Sequence, residues 1–163
     1  SVNLNATNDK QIHGLLTSNL DALHVSIDGV TQEVYEKYRV GGNLETVFNN
    51  FKKLLAAKEL YKSNTKIIWD FIVMKQNEHQ VEEAKKMAKD FGVKINIDCV
   101  RTNLKDDYLN PLNKMIDKYI EWLPNAPQYN SYDMDTKTRK NFRVLQKTLA
   151  GSNGKLEWRC LSL

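Results

Sequence analysis

Cysteine is scarce in this chain. Two occur in 163 residues, Cys99 and Cys160, and they lie far apart in sequence. That is no disulfide framework, and the expectation is a reducing, cytoplasmic setting. Proline is scarcer for the length, with three, and glycine numbers seven, which excludes collagenous or low-complexity material. No apolar run approaches the ~18 residues of a membrane span, and no basic-then-apolar start suggests a signal peptide. One-signed charge is also lacking. Lys and Arg total 24 against 20 Asp and Glu, a net +4 with the signs interspersed, which is no nucleic-acid-binding stripe. What remains is ordinary globular composition, 41% hydrophobic and 27% charged, in a chain long enough to bury a core.

The apolar pattern switches between period 2 and period 3.6. Val2-Asn3-Leu4-Asn5 alternates as a short strand. Asn8, with Gln11 at capping-box spacing, opens a helix carrying Ile12, Leu15 and Leu16 on one face. Ala22 to Asp28 alternates again and ends at Gly29. Thr31 caps a short helix through Tyr38, and Asn43 starts a longer one with Leu44, Val47, Phe48, Phe51, Leu54 and Leu55 on one stripe. Lys66 to Met74 reads as a strand. Asn77 is expected to cap the next helix with Gln80, and Gly92 to stop it. Val93 to Val100 is the last strand. The order predicts an α/β fold: four mainly parallel strands with crossover helices.

Beyond about residue 104 the strands stop. Asn110-Pro111 opens a helix through Leu123, Gln128 to Lys140 is polar without clear period, and a shorter helix is expected around Phe142 to Leu149. The predicted organisation is residues 1–104 as the α/β part and 105–163 as a helical segment.

A covered parallel strand reads as a continuous apolar run. These strands instead alternate, with Asn3 and Asn5, then His24, Ser26 and Asp28, then Asp70, then Asn96 and Asp98 on one face. Two accounts fit: a sheet with one face in water, or a curved sheet whose concave face lines a polar cavity. Sites in parallel sheets lie at strand carboxyl ends, where Asn5, Ser26, Asp28, Lys75 and Arg101 fall. Asp28 could bind hydroxyls or a head group, or merely cap the helix after it. Arg39, beside Gly41-Gly42, suits a bidentate carboxylate contact or is an ordinary surface arginine. Single histidines on regular elements, His24 among them, read as structural. No nucleophile elbow, metal-ligand spacing or phosphate-binding glycine loop is present.

The segments Asn5-Ala6-Thr7, Leu20 to Arg39 (with Ser26-Ile27-Asp28-Gly29 at its centre), Gly42 to Val47 and Phe71 to His79 carry, in order and spacing, a resemblance to the radical S-adenosylmethionine (SAM) enzymes. The resemblance is in particular to those with a SPASM-type C-terminal extension, and Cys160-Leu-Ser-Leu163 is similar to the opening of that extension. The resemblance implies a partial (β/α)6 barrel, with this chain supplying its second half plus a linker. It implies SAM and a [4Fe-4S] cluster as cofactors of the full-length enzyme, hydrogen abstraction as the chemistry, and a peptide or protein among the candidate substrates.

By resemblance, Asn5 and Thr7 fall near the methionyl part of SAM, Ser26 and Asp28 near its ribose and head group, Arg39 at its carboxylate and Lys75 near its adenine. Cys160 would be an auxiliary-cluster ligand in the full-length protein only. This chain departs from the family in having no three-cysteine cluster loop. It is therefore expected to be inactive alone, to carry no bound cofactor, and to self-associate through open strand edges. The alternative is a cluster-free α/β binding or scaffold domain.

Overall fold

A computed structural model describes residues 1–100, 120–130, 132–133 and 138–139. The chain divides into two compact units, Ser1–Asp98 and Cys99–Leu163.

In the first unit, α1 (Asp9–Thr17) begins at the expected capping box: the Asn8 side chain accepts from the Gln11 N–H, and the Gln11 side chain accepts from the Asn8 N–H. Strand β1 (Ala22–Ser26) leads to α2 (Gln32–Tyr38), with Thr31 at its cap, and then to α3 (Leu44–Leu60), where Asn43 accepts from the Thr46 N–H. Strand β2 (Lys66–Val73), α4 (Val81–Asp90) and β3 (Lys94–Cys99) complete the order. Gly92 takes the left-handed conformation, φ +68°, that ends α4.

The three strands form a parallel sheet in the order β1-β2-β3. Ala22 pairs with Lys66, His24 with Ile68 and Ser26 with Asp70. The expected fourth strand, Val2–Asn5, is reduced to one parallel bridge between Val2 and Val25. Val2 exchanges backbone bonds with His24 and Ser26, and then Leu4 turns into the left-handed region at φ 58° and ends the extension. That turn is held from both sides. Leu4 is fully buried, and its carbonyl accepts from the buried Asn50 side chain at 2.9 Å.

One face of the sheet is packed by the helices. Leu23, Val25 and Ile27 of the first strand region and Ile67, Trp69, Phe71 and Val73 of β2 are buried there. Phe48 and Phe51 of α3 meet Trp69 edge-on at ring-centroid distances of 5.8 and 6.2 Å, and both also contact Phe91. The Trp69 Nε1–H donates to the Ile27 carbonyl at 2.8 Å, so the largest core ring is also polar-satisfied. The opposite face, with His24, Ser26, Ile68, Asp70, Ile72 and Asn96, is only half-buried.

In the second unit, a short 3-10 helix spans Ile120–Trp122, and the Asn130 side chain donates to the Pro124 carbonyl. The stretch read as polar without period contains two antiparallel two-residue strands, β4 (Tyr132–Asp133) and β5 (Thr138–Arg139). The expected helix starts near Asn110 and Phe142, and the chain end with Cys160, lie outside the described residues. Among the described residues no helix is long and apolar enough to cross a membrane.

Candidate functional site at the carboxyl end of the sheet

Past the last residue of β1, the backbone carries Asp28 into the interior, where it is 0% exposed. A carboxylate there requires partners. Its Oδ1 accepts from the Ile72 N–H at 2.8 Å, and its Oδ2 accepts from Arg39 Nε at 2.9 Å and Nη2 at 2.6 Å. Burial pushes the Asp28 carboxyl above its ordinary range, while the Arg39 guanidinium and the Ile72 N–H oppose that shift. The geometry nevertheless is that of a charge-assisted pair, with Arg39 one quarter exposed and Asp28 enclosed.

The ends of β1 and β2 are tied together by two amides. Asn77 is fully buried. Its Oδ1 accepts from the Met74 N–H at 2.7 Å, and its Nδ2 donates to the carbonyls of Asp28 at 3.0 Å and Ile72 at 2.9 Å. Gln80 accepts from the Val30 N–H and donates to the Thr31 hydroxyl, both at 2.9 Å. The expected cap on the following helix is thus corrected. Asn77 precedes a 3-10 turn, Glu78–Gln80, and makes no side-chain cap bond. Both amides are spent across the loops instead, Asn77 on the Met74 N–H and the Asp28 and Ile72 carbonyls, Gln80 on the Val30 N–H and the Thr31 hydroxyl.

Tyr35 forms the floor beneath the glycines. A Cβ on Gly29 would meet the Tyr35 backbone N at 2.8 Å, and one on Gly42 would meet the Tyr35 ring at 2.7 Å and the Arg39 carbonyl at 2.9 Å. The Tyr35 hydroxyl accepts from Asn5 Nδ2 at 2.7 Å, and Asn5 Oδ1 accepts from the Asn43 N–H at 3.0 Å. Gly42 N–H donates to the Arg39 carbonyl. Asn5, Arg39 and Asp28 therefore belong to one hydrogen-bonded network running through Tyr35 and the Gly42–Asn43 corner.

Ser26, half-buried, stands two residues before Asp28, and its hydroxyl has no hydrogen bond among the described residues. Thr7 is half-buried and Lys75 exposed, and neither side chain has a polar partner among the described residues. The network brings Asn5, Asp28 and Arg39 together, but it does not bring Thr7 or Lys75 into bonding contact with them. Sequence reasoning missed Tyr35, Asn50, Asn77 and Gln80 as parts of this end. The signal available was two amides close behind a strand whose preceding neighbour ends in a buried Asp.

On the half-buried face a second polar group is built across the strands. His24 Nδ1 lies 2.8 and 3.0 Å from the Asp70 oxygens, and Asn96 Nδ2 donates to Asp70 Oδ1 at 2.9 Å. A shallow depression of about 310 Å³ between Leu16, Leu20, Tyr61 and Thr65 lies at the opposite, amino end of the strands.

The donors present do not fit an iron–sulfur cluster. Such clusters take three or four thiolates; among the described residues Cys99 is the one cysteine, and no group of three metal-ligating side chains occurs. They fit a polar organic ligand better: the Ser26 hydroxyl, the exposed Lys75 ammonium and the exposed part of Arg39 are the groups available. No family model, no curated protein and no solved structure matches the chain.

Proposed function

We propose that the chain is the second half of the barrel of a radical SAM enzyme with a SPASM-type extension, and that the carboxyl end of its sheet contacts SAM in the full-length protein. The observation that carries the reading is the convergence at that end. The Ser26 hydroxyl, the buried Asp28–Arg39 pair and the Asn5 staple all sit on or just past strands that run parallel and neighbour one another in sequence order. In the full-length enzyme, SAM and a [4Fe-4S] cluster held by thiolates outside this chain would supply the hydrogen-abstracting radical chemistry.

This chain's own residues do the positioning. Ser26 offers a hydroxyl to ribose oxygens. Asp28 holds the Arg39 guanidinium in one orientation, with the hydrogens not given to Asp28 left for an anionic group. Asn77 and Gln80 keep the two loops from parting. Lys75 follows β2 and lies on the adenine side. Cys160 remains an auxiliary-cluster ligand on resemblance alone, and the modified substrate is a peptide or protein on the same ground.

One observation favours the second reading, a cluster-free binding or scaffold domain. Asp28 and Arg39 already satisfy each other, as in a site built for rigidity. The deciding experiment is equilibrium binding of SAM to the full-length, cluster-loaded protein, compared with its Ser26→Ala variant. Binding weakened on the order of tenfold, about the worth of one hydrogen bond, supports the enzyme reading. Unchanged affinity removes Ser26 from the site, and absence of SAM binding overturns the reading.

A further inference from the structure

The amino-end depression holds no charged group in a built arrangement, and the exposed Leu60 and Val40 have nothing that identifies a partner. The row on the half-buried sheet face is different. His24, Asp70 and Asn96 come from three separate strands and are bonded in series, Asn96 to Asp70 to His24. With Nδ1 committed to Asp70, the His24 ring presents Nε2, which has no hydrogen-bond partner among the described residues. The His24 side chain is 31% exposed and that of Asp70 21%. A carboxylate on one ring nitrogen fixes the tautomer with the proton on that nitrogen and leaves a lone pair on the other. Asn96 plays a further role by holding Asp70 at its Oδ1, so the carboxylate itself is oriented.

The surroundings indicate what would meet Nε2. Ser26 lies on the same face, two residues on, roughly 7 Å along the strand at the usual rise. Ile68 and Ile72 on the same face of β2 are half-buried and give an apolar seat between the polar groups. We infer that the His24 Nε2 lone pair accepts a hydrogen bond from the hydroxyl of an organic substrate lying on this face, with Asp70 and Asn96 as its positioning residues and Ser26 as a second hydrogen-bonding contact. The inference shares Ser26 with the SAM reading, but it rests on the His24–Asp70–Asn96 series, which that reading does not use.

The test has two readouts on the chain itself. In the first, histidines are carbethoxylated with diethyl pyrocarbonate at neutral pH and the modified sites are resolved by mass spectrometry, with His13 and His79 (both exposed) as internal references. His24 is expected to react at Nε2, and Asp70→Asn to slow that reaction on the order of tenfold while leaving His13 and His79 unchanged. Asp70→Glu should restore part of the rate, and Asn96→Ala should give a smaller loss. If Asp70→Asn fails to fold, judged by far-UV circular dichroism, Asn96→Ala carries the comparison.

In the second readout, nitrogen NMR of the histidine rings should show His24 with its proton on Nδ1, and titration with sorbitol should move the Ser26 and His24 resonances of the wild type but leave the Ser26 resonance of His24→Gln in place. A His24 that resists the reagent while His79 reacts overturns the proposal. So does a rate indifferent to Asp70→Asn and Asn96→Ala, or a proton found on Nε2. Indifference to sorbitol overturns the assigned substrate class.

Discussion

Replacing Arg39 with Met removes two charge-assisted bonds, of 2.9 and 2.6 Å, from a carboxylate with no exposure. Stripping one partner from a buried pair costs about 3–5 kcal/mol. Arg39 is itself one quarter exposed, and Asp28 can take up a proton rather than remain charged, so a loss of about 3 kcal/mol at neutral pH is expected. For a unit of about 100 residues such as Ser1–Asp98 that lowers Tm by roughly 12–24 °C.

The cost carries a pH signature. The folded-state pKa of Asp28 is already raised by burial, and removing Arg39 raises it further. Between the unfolded and the folded pKa the native state holds more protons than the unfolded one. The contribution is therefore present in acid and lost as pH rises through the folded pKa. The deficit of Arg39→Met against wild type accordingly widens with rising pH and shrinks toward about pH 4. Urea unfolding, followed by circular dichroism and by the fluorescence of the buried Trp69, measures it. Combining Asp28→Asn with Arg39→Met should recover more than half the loss at neutral pH. A single-variant loss below about 1 kcal/mol, the scale of a surface ion pair, refutes the reasoning, as does a deficit that does not change with pH.

Three further outcomes follow from the same contacts. Asn77→Ala strands the Met74 N–H and leaves the Asp28 and Ile72 carbonyls without that donor, and should cost about 2–4 kcal/mol in denaturant titration; a loss within 0.5 kcal/mol, the ordinary surface range, contradicts it. Gly42→Ala drives a methyl into the Tyr35 ring and the Arg39 carbonyl and should destabilise by about 1–3 kcal/mol, whereas Gly14→Ala, with open space around it, should not. Self-association through open strand edges, expected of half a barrel, should appear as concentration-dependent mass in light scattering; a constant monomer mass counts against it.

The elements of the first unit were legible because local chemistry and global pattern agree there. Asn8 caps with Gln11 as spacing predicts, Asn43 opens α3 as expected, and Gly92 ends α4 in the conformation glycine favours. The alternation of β1 and β2 announced a half-buried face, and that face exists. Three things were not legible. Val2–Asn5 looks like a strand, but tertiary forces override it, since burying Leu4 and bonding its carbonyl to Asn50 outweigh a left-handed leucine. Asn77 and Gln80 satisfy a cap pattern in sequence, yet backbone groups and the Thr31 hydroxyl, brought close only in the fold, claim them first. His24 read as an isolated structural histidine because Asp70 and Asn96 lie on other strands, and strand register alone places them within bonding distance.

The central claim is that this chain forms the SAM-contacting half of a larger barrel. Sequencing the coding DNA that flanks it tests that most directly. The account predicts a Cys-x-x-x-Cys-x-x-Cys loop encoded upstream, three thiolates for the cluster that these residues cannot hold, and further cysteines downstream of Leu163. A start codon immediately before Ser1 with no such loop would contradict it.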